Sequence, residues 1–209
     1  LQIEGIAMLH HVIRRAGSPK RPLIFLHGSG QDEASLDALA AQVAPDRPAI
    51  LPRGAVMWED GYAFFRRRPD RSIDIDDLLQ QRANVLIFLA SLKRARSVTR
   101  RPVLIGYSNG AIMAESLLRG SPEHFAGAAL IRPLSPELPE PARDLQGKPV
   151  LVLSASEDER RAREDAETAR DRLLIAGADV EFLETSAGHA LTDKEAAVLS
   201  AWLTRHFPD

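Results

Sequence analysis

The chain has 209 residues, with 27 Lys and Arg against 29 Asp and Glu, a formal net charge of -2, and no cysteine. That length suits one domain with a sizeable core, so a single domain spanning 1–209 is expected. The balanced charge provides no field for nucleic acid or an anionic membrane, no apolar run approaches a bilayer span, and the lack of cysteine removes disulfides, thiolate nucleophiles and Cys-based metal sites. Residues 1–15 lack the basic, apolar, small-residue order of a secretory signal, and a cytoplasmic location fits. Without a starting Met, whether Leu1–Met8 belongs to the native start is left open.

Apolar runs alternate with helix-period segments, the pattern of an α/β protein with a mainly parallel central sheet and helices on both faces. His10 and His11 open an edge strand and have no metal-ligand spacing. The first clear strand is 22–26, ending at His27-Gly28-Ser29-Gly30. A helix is expected over about 33–43, with Leu36, Leu39, Ala40 and Val43 on one face. A short strand at 49–51 is cut off by Pro52. Residues 52–75 show no sustained periodicity yet contain Trp58, Tyr62, Phe64 and Phe65, which argues for a loop folded over the mouth of a site rather than disorder. The next helix starts near Asp76, with acidic residues at its positive end.

Strand 102–105 runs into Gly106-Tyr107-Ser108-Asn109-Gly110 and then a strong helix sequence. A serine on such a strand-to-helix turn stands at the top of the sheet, beside the free N–H groups of the helix start. Further strands are expected at about 126–131 and 149–153, and the Pro-rich stretch 133–141 reads as a rigid surface loop. A helix over roughly 160–176 is stopped by Gly177. Strand 180–183 follows, then a capping box, Thr192-Asp193-Lys194-Glu195, opening a last helix with Val198, Leu199, Trp202 and Leu203 inward.

A serine hydroxyl needs a base to take its proton and a third group to orient that base. In this topology the order is serine, acid, histidine, each after a later strand. His189, behind Gly188, is the candidate base, and His124 and His206 read as surface histidines. Asp158 is the candidate acid, with its neighbour Glu157 as rival. Two N–H donors must face the developing oxyanion, and the backbone amides of Asn109 and Ser29 are the candidates. Trp58, Phe64 and Phe65 line a substrate pocket or form the loop's own small core. The cluster Arg66, Arg67, Arg68 and Arg71 either recognises an acidic substrate or, the more ordinary reading, is a solvated surface paired with Asp60, Asp70 and Asp74.

Residues 26–33 (LHGSGQDE), Pro52-Arg53-Gly54, Phe64-Phe65-Arg66-Arg67, Gly106-Tyr107-Ser108-Asn109-Gly110-Ala111 and Gly188-His189 together resemble the phospholipase/carboxylesterase family. This is a branch of the α/β-hydrolases related to dienelactone hydrolases and acyl-protein thioesterases, and the motifs look most like its bacterial MhqD-like carboxylesterases. The resemblance spans about 9–207. It implies a cytoplasmic serine esterase without cofactor or metal, often a homodimer, with Ser108 as nucleophile, Asp158 as acid and His189 as base. The chain departs from the family in lacking a glycine before the acid and a proline after it. The reading that follows is a serine carboxylesterase taking a small-molecule ester through an acyl-enzyme. The rivals are a thioesterase or lysophospholipase for longer acyl chains, which needs an extended apolar groove, and a non-catalytic ligand-binding homologue.

Overall fold

The computed structural model describes residues 9–208; Leu1–Met8 and Asp209 lie outside the described residues. Strand β1 (His11–Arg14) leads to β2 (Leu23–Leu26), helix α1 (Asp37–Val43) and β3 (Ala49–Pro52). A hairpin of β4 (Val56–Trp58) and β5 (Gly61–Ala63) precedes helix α2 (Ile75–Arg94). Then come β6 (Val103–Tyr107), α3 (Asn109–Gly120), β7 (Gly127–Ile131), β8 (Pro149–Ala155), α4 (Arg163–Ile175), β9 (Asp179–Thr185) and α5 (Asp193–His206).

Seven strands form one sheet in the order β1-β3-β2-β6-β7-β8-β9, parallel throughout except for β1 against β3. The central strands are buried on both faces, and the period of two divides their side chains between two cores. Ile24, Leu26, Leu104, Leu130 and Val152 join the core packed under α2, α3 and α4. Leu23, Phe25, Ile105, Ile131 and Leu153 join the core under α1 and α5, where Trp202 is 1% exposed. The chain moves from β2 outward to β3, then crosses back to place β6 on the other side of β2. Ligands of open α/β sheets bind outside the carboxyl ends of the strands at such a reversal. The loops after β2 and β6 therefore meet at the Ser29 and Ser108 turns.

Three expectations need correction. Helix α1 begins at Asp37, not near residue 33, because Asp32 and Ser35 bond to each other and to nearby backbone amides, an alternative to helix. Residues 52–75 are not structureless: β4 and β5 pair antiparallel, with Val56 opposite Ala63. Helix α4 begins at Arg163, not Arg160, because the amides of Arg160 and Arg161 both donate to the Asp158 carboxylate. Elsewhere the boundaries agree closely, including the positive φ of 87° at Gly177 after α4 and the Thr192–Glu195 capping box.

Candidate active site

The turn between β6 and α3 is built by close backbone packing. A Cβ on Gly110 would lie 2.0 Å from the Leu26 carbonyl oxygen, and one on Gly106 would lie 2.4 Å from that of Gly110. Only glycine fits at both places, which lets α3 start directly against β2. Ser108 sits at the apex with φ 52° and ψ -108°, a conformation that costs a non-glycine residue about 1–3 kcal/mol. Its amide donates to the Ile131 carbonyl at 2.9 Å, so β7 helps hold the turn.

Ser108, His189 and Asp158 meet although they come from three separate loops. The Ser108 Oγ lies 3.0 Å from His189 Nε2, and His189 Nδ1 lies 3.0 and 2.9 Å from the two Asp158 carboxylate oxygens. A carboxylate can only accept, so Nδ1 carries the proton and Nε2 is left to accept from the serine. Burial lowers the His189 pKa, and Asp158 opposes that shift. The Asp158 side chain is 1% exposed, and the amides of Arg160 and Arg161 fix it at 2.8 and 3.0 Å. Glu157 is exposed, and the His189 ring bonds to Asp158 instead. Glu159 accepts from the His189 amide at 3.4 Å through its side chain.

The loop after β2 is held by His27, which is 1% exposed. Its Nδ1 donates to the Gly28 carbonyl at 2.7 Å and its Nε2 accepts from the Gly54 amide at 2.9 Å, a pairing that only the neutral ring satisfies. Burial lowers its pKa in the same sense. Gln31 takes the Gly28 amide at 2.8 Å. The amides of Ser29 and Asn109 donate to no group among the described residues, and Ser29 lines the cavity beside Ser108.

Sequence reasoning missed the residues that brace this arrangement. Arg132, fully buried just past β7, donates to the Gly188 carbonyl at 3.1 Å, the Ser154 carbonyl at 3.3 Å and Glu195 at 2.6 Å. Its Nε is 3.8 Å from Asp158. Burial would raise the Glu195 carboxyl, but Arg132, Thr185 and Thr192 outweigh it and hold it at about 2. Tyr107 donates to the His189 carbonyl at 3.0 Å. The Asn109 side chain accepts from the Phe64 amide at 2.8 Å and so grips the backbone after the hairpin. An arginine ending an all-apolar strand was the one signal that could have pointed to Arg132.

A cavity of about 510 Å³ opens above Ser108 and His189. Of the three aromatic pocket candidates only Trp58 lines it. Phe64 and Phe65 are 2% and 0% exposed within the core under α2 and α3, so they are corrected to core residues. Burial of both rings in that core removes more apolar surface from water than a place on the half-polar cavity wall would. The arginine cluster divides as well: Arg66 pairs with Asp77 at 3.2 Å, whereas Arg67 and Arg71 line the cavity. Among the described residues no His, Cys, Asp and Glu group could hold a metal ion, and no helix is long and apolar enough to cross a membrane.

The sheet, its crossover and the serine turn define the α/β-hydrolase class of fold. The pattern of the dienelactone hydrolase family matches residues 53–202. The MhqD hydrolase of Bacillus subtilis strain 168 is 30% identical over 199 residues, covering 93% of this chain and 97% of that protein. The solved carboxylesterase of Bacillus cereus superposes with a TM-score of 0.90 at 30% identity, covering 96% of each chain. The carboxylesterase of Mesorhizobium loti does so at 0.86 and 31%, covering 93% of each. The chain belongs to the dienelactone hydrolase family, and its activity class is that of a carboxylesterase-like hydrolase.

Proposed function

We propose that this chain is a serine carboxylesterase hydrolysing small soluble esters through an acyl-enzyme. The observation that carries the reading is the unbroken line of hydrogen bonds from Ser108 through His189 to Asp158 at the floor of the cavity. His189 Nε2 takes the hydroxyl proton as Ser108 Oγ attacks the ester carbonyl carbon. Asp158 holds the imidazole tautomer and steadies the imidazolium that forms. The tetrahedral oxyanion accepts from the Ser29 and Asn109 amides, each worth about 3 kcal/mol to the transition state. Collapse expels the alcohol, which takes the proton from His189 and leaves the acyl group on Ser108. Water then gives a proton to His189 as its oxygen attacks the acyl carbon. The second intermediate collapses to the free acid, and Ser108 regains its proton. These steps balance with water as the only co-reactant.

A long acyl chain would need an apolar groove. Charged side chains alternate along the cavity wall with the apolar surfaces of Trp58, Tyr107 and Leu134, so no continuous apolar groove runs along it, which favours short substrates. Labelling with a fluorophosphonate and mapping the adduct tests the reading. A single adduct on Ser108 is expected. An intact, folded chain that takes no label, or takes it elsewhere, would contradict it and favour a non-catalytic binder.

A further inference from the structure

Helix α3 is buried almost throughout, and its two charged residues, Glu115 and Arg119, are buried with it. Glu115 is 0% exposed. Burial pushes its carboxyl pKa up, against the opposing pull of Ser135, Arg119 and Arg172. Its Oε1 accepts from the Ser135 hydroxyl at 2.5 Å and from Arg119 Nη1 at 3.1 Å. Its Oε2 and the Arg119 Nε find no hydrogen-bond partner among the described residues. A buried ion pair with polar atoms left unsatisfied adds little stability, so stability alone does not account for this cluster.

What the cluster holds is the stretch after β7. Ile131 takes the Ser108 amide, Arg132 braces the His189 loop, and Leu134, two residues further on, lines the cavity that contains Ser108 and His189. Residues 133–142 make no backbone-to-backbone hydrogen bond among the described residues. Arginines take the carbonyls instead: Arg172 Nη1 donates to Ser135 and Pro136 at 3.1 Å each, and Arg119 Nη1 donates to Pro136 at 3.0 Å. Ser135 is thus held between Glu115 on α3 and Arg172 on α4. Its neighbour Leu134 packs on the core under α2, α3 and α4 while lining the cavity. Pro133 and Pro136, with their fixed φ, restrict the backbone on either side of the pair.

We propose that Glu115 is a positioning residue for substrate length: through Ser135 it fixes Leu134, and Leu134 closes the cavity to long chains. Glu115 itself lines no part of the cavity, so it acts only through the loop it holds. The proposal rests on the serine-esterase reading above and names what sets its preference for short esters.

The test compares kcat/KM for ethyl hexanoate and for hexyl acetate with that for ethyl acetate, lengthening the acyl and the alcohol side in turn. In at least one series the wild-type ratio should lie below one, and Leu134→Ala should raise it about 10-fold. Glu115→Gln keeps the shape but removes the charge, and Ser135→Ala leaves Glu115 on Arg119. Each should raise the same ratio about threefold. Neither should raise it further in a Leu134→Ala background, because both act through that side chain. A general loss of active protein cancels in every ratio. Ratios unmoved by Leu134→Ala in both series would overturn the proposal. So would a ratio that Leu134→Ala moves but Glu115→Gln and Ser135→Ala do not, or one that they raise equally in the Leu134→Ala background. If the wild-type chain prefers the longer ester in both series, the length limit alone fails. If no ester is hydrolysed and Ser108 takes no label, the esterase reading fails and the positioning role falls with it.

Discussion

The floor of the cavity and the hairpin side of its wall are built by different means. The floor rests on the ends of buried parallel strands, where Gly106 and Gly110 admit backbone at distances that no side chain tolerates and Arg132 ties three segments together. The hairpin side comes from two three-residue strands and a loop held by short-range polar contacts, such as Arg68 to Ser72 at 3.0 Å and Ser72 to Asp70 at 2.9 Å. A floor of this kind has one low-energy arrangement, because moving any part breaks packing or leaves a buried charge unpaired. Exposed positions on the hairpin side, such as Met57, can be exchanged with little cost to the fold, whereas Gly54 and Gly61 are as tightly packed as the floor. On the proposed reading, chemistry belongs to the floor and selectivity to the wall.

Changes to the floor should have the larger effects. Asp158→Asn removes the group that fixes the His189 tautomer and should lower kcat by about 10⁴-fold. Glu157→Gln, altering an exposed neighbour, should stay within about twofold, since surface changes of this kind rarely matter. Equal losses in the two variants would break the assignment of the acid. Arg132→Met leaves Glu195 buried without its cationic partner and should cost about 3–5 kcal/mol, lowering Tm by about 10 °C. Adding Glu195→Gln to that variant should restore part of the loss. A Tm unchanged in Arg132→Met would show that the floor does not depend on this brace.

The pH profile gives a smaller effect, with its sign set by His189. The imidazole must be neutral to accept the serine proton, and burial lowers its pKa below the ordinary 6.5. Activity on a neutral ester should therefore be flat at pH 7–8 and fall about tenfold per unit only below the lowered pKa. A midpoint above pH 7 would contradict the burial argument. The smallest effect belongs to the wall: Trp58→Ala should raise KM a few-fold with kcat nearly unchanged, since Trp58 lines the cavity and takes no part in the hydrogen bonds of Ser108, His189 and Asp158. A loss of kcat as large as that of Asp158→Asn would erase the distinction between floor and wall.

The same division governs how much could be read from the residues alone. The main strands along the chain and the serine turn are local signals: an apolar run, two glycines around a serine, a helix sequence, and a Gly-His pair after the last strand. Arg132 carries no such signal, because its role exists only when β7, β8 and the His189 loop converge in space. Glu195 was legible as a cap on α5 but not as the partner of that arginine. The hairpin strands are too short for periodicity to register, so 52–75 read as an irregular loop. Phe64 and Phe65 could be assigned to the core only once the Asn109 side chain was seen gripping the backbone beside them. Arg67 looked like one member of a surface run, and its separation from Arg66 depends on which side of the chain faces the cavity.

The most direct test of the central claim is the kcat of Ser108→Ala on p-nitrophenyl acetate, measured beside its Tm. The account predicts a loss of about 10⁴-fold or more with the melting temperature essentially intact, since removing one hydroxyl leaves the glycine-packed turn in place. A variant that keeps most of its turnover would show that the chemistry lies somewhere other than this serine.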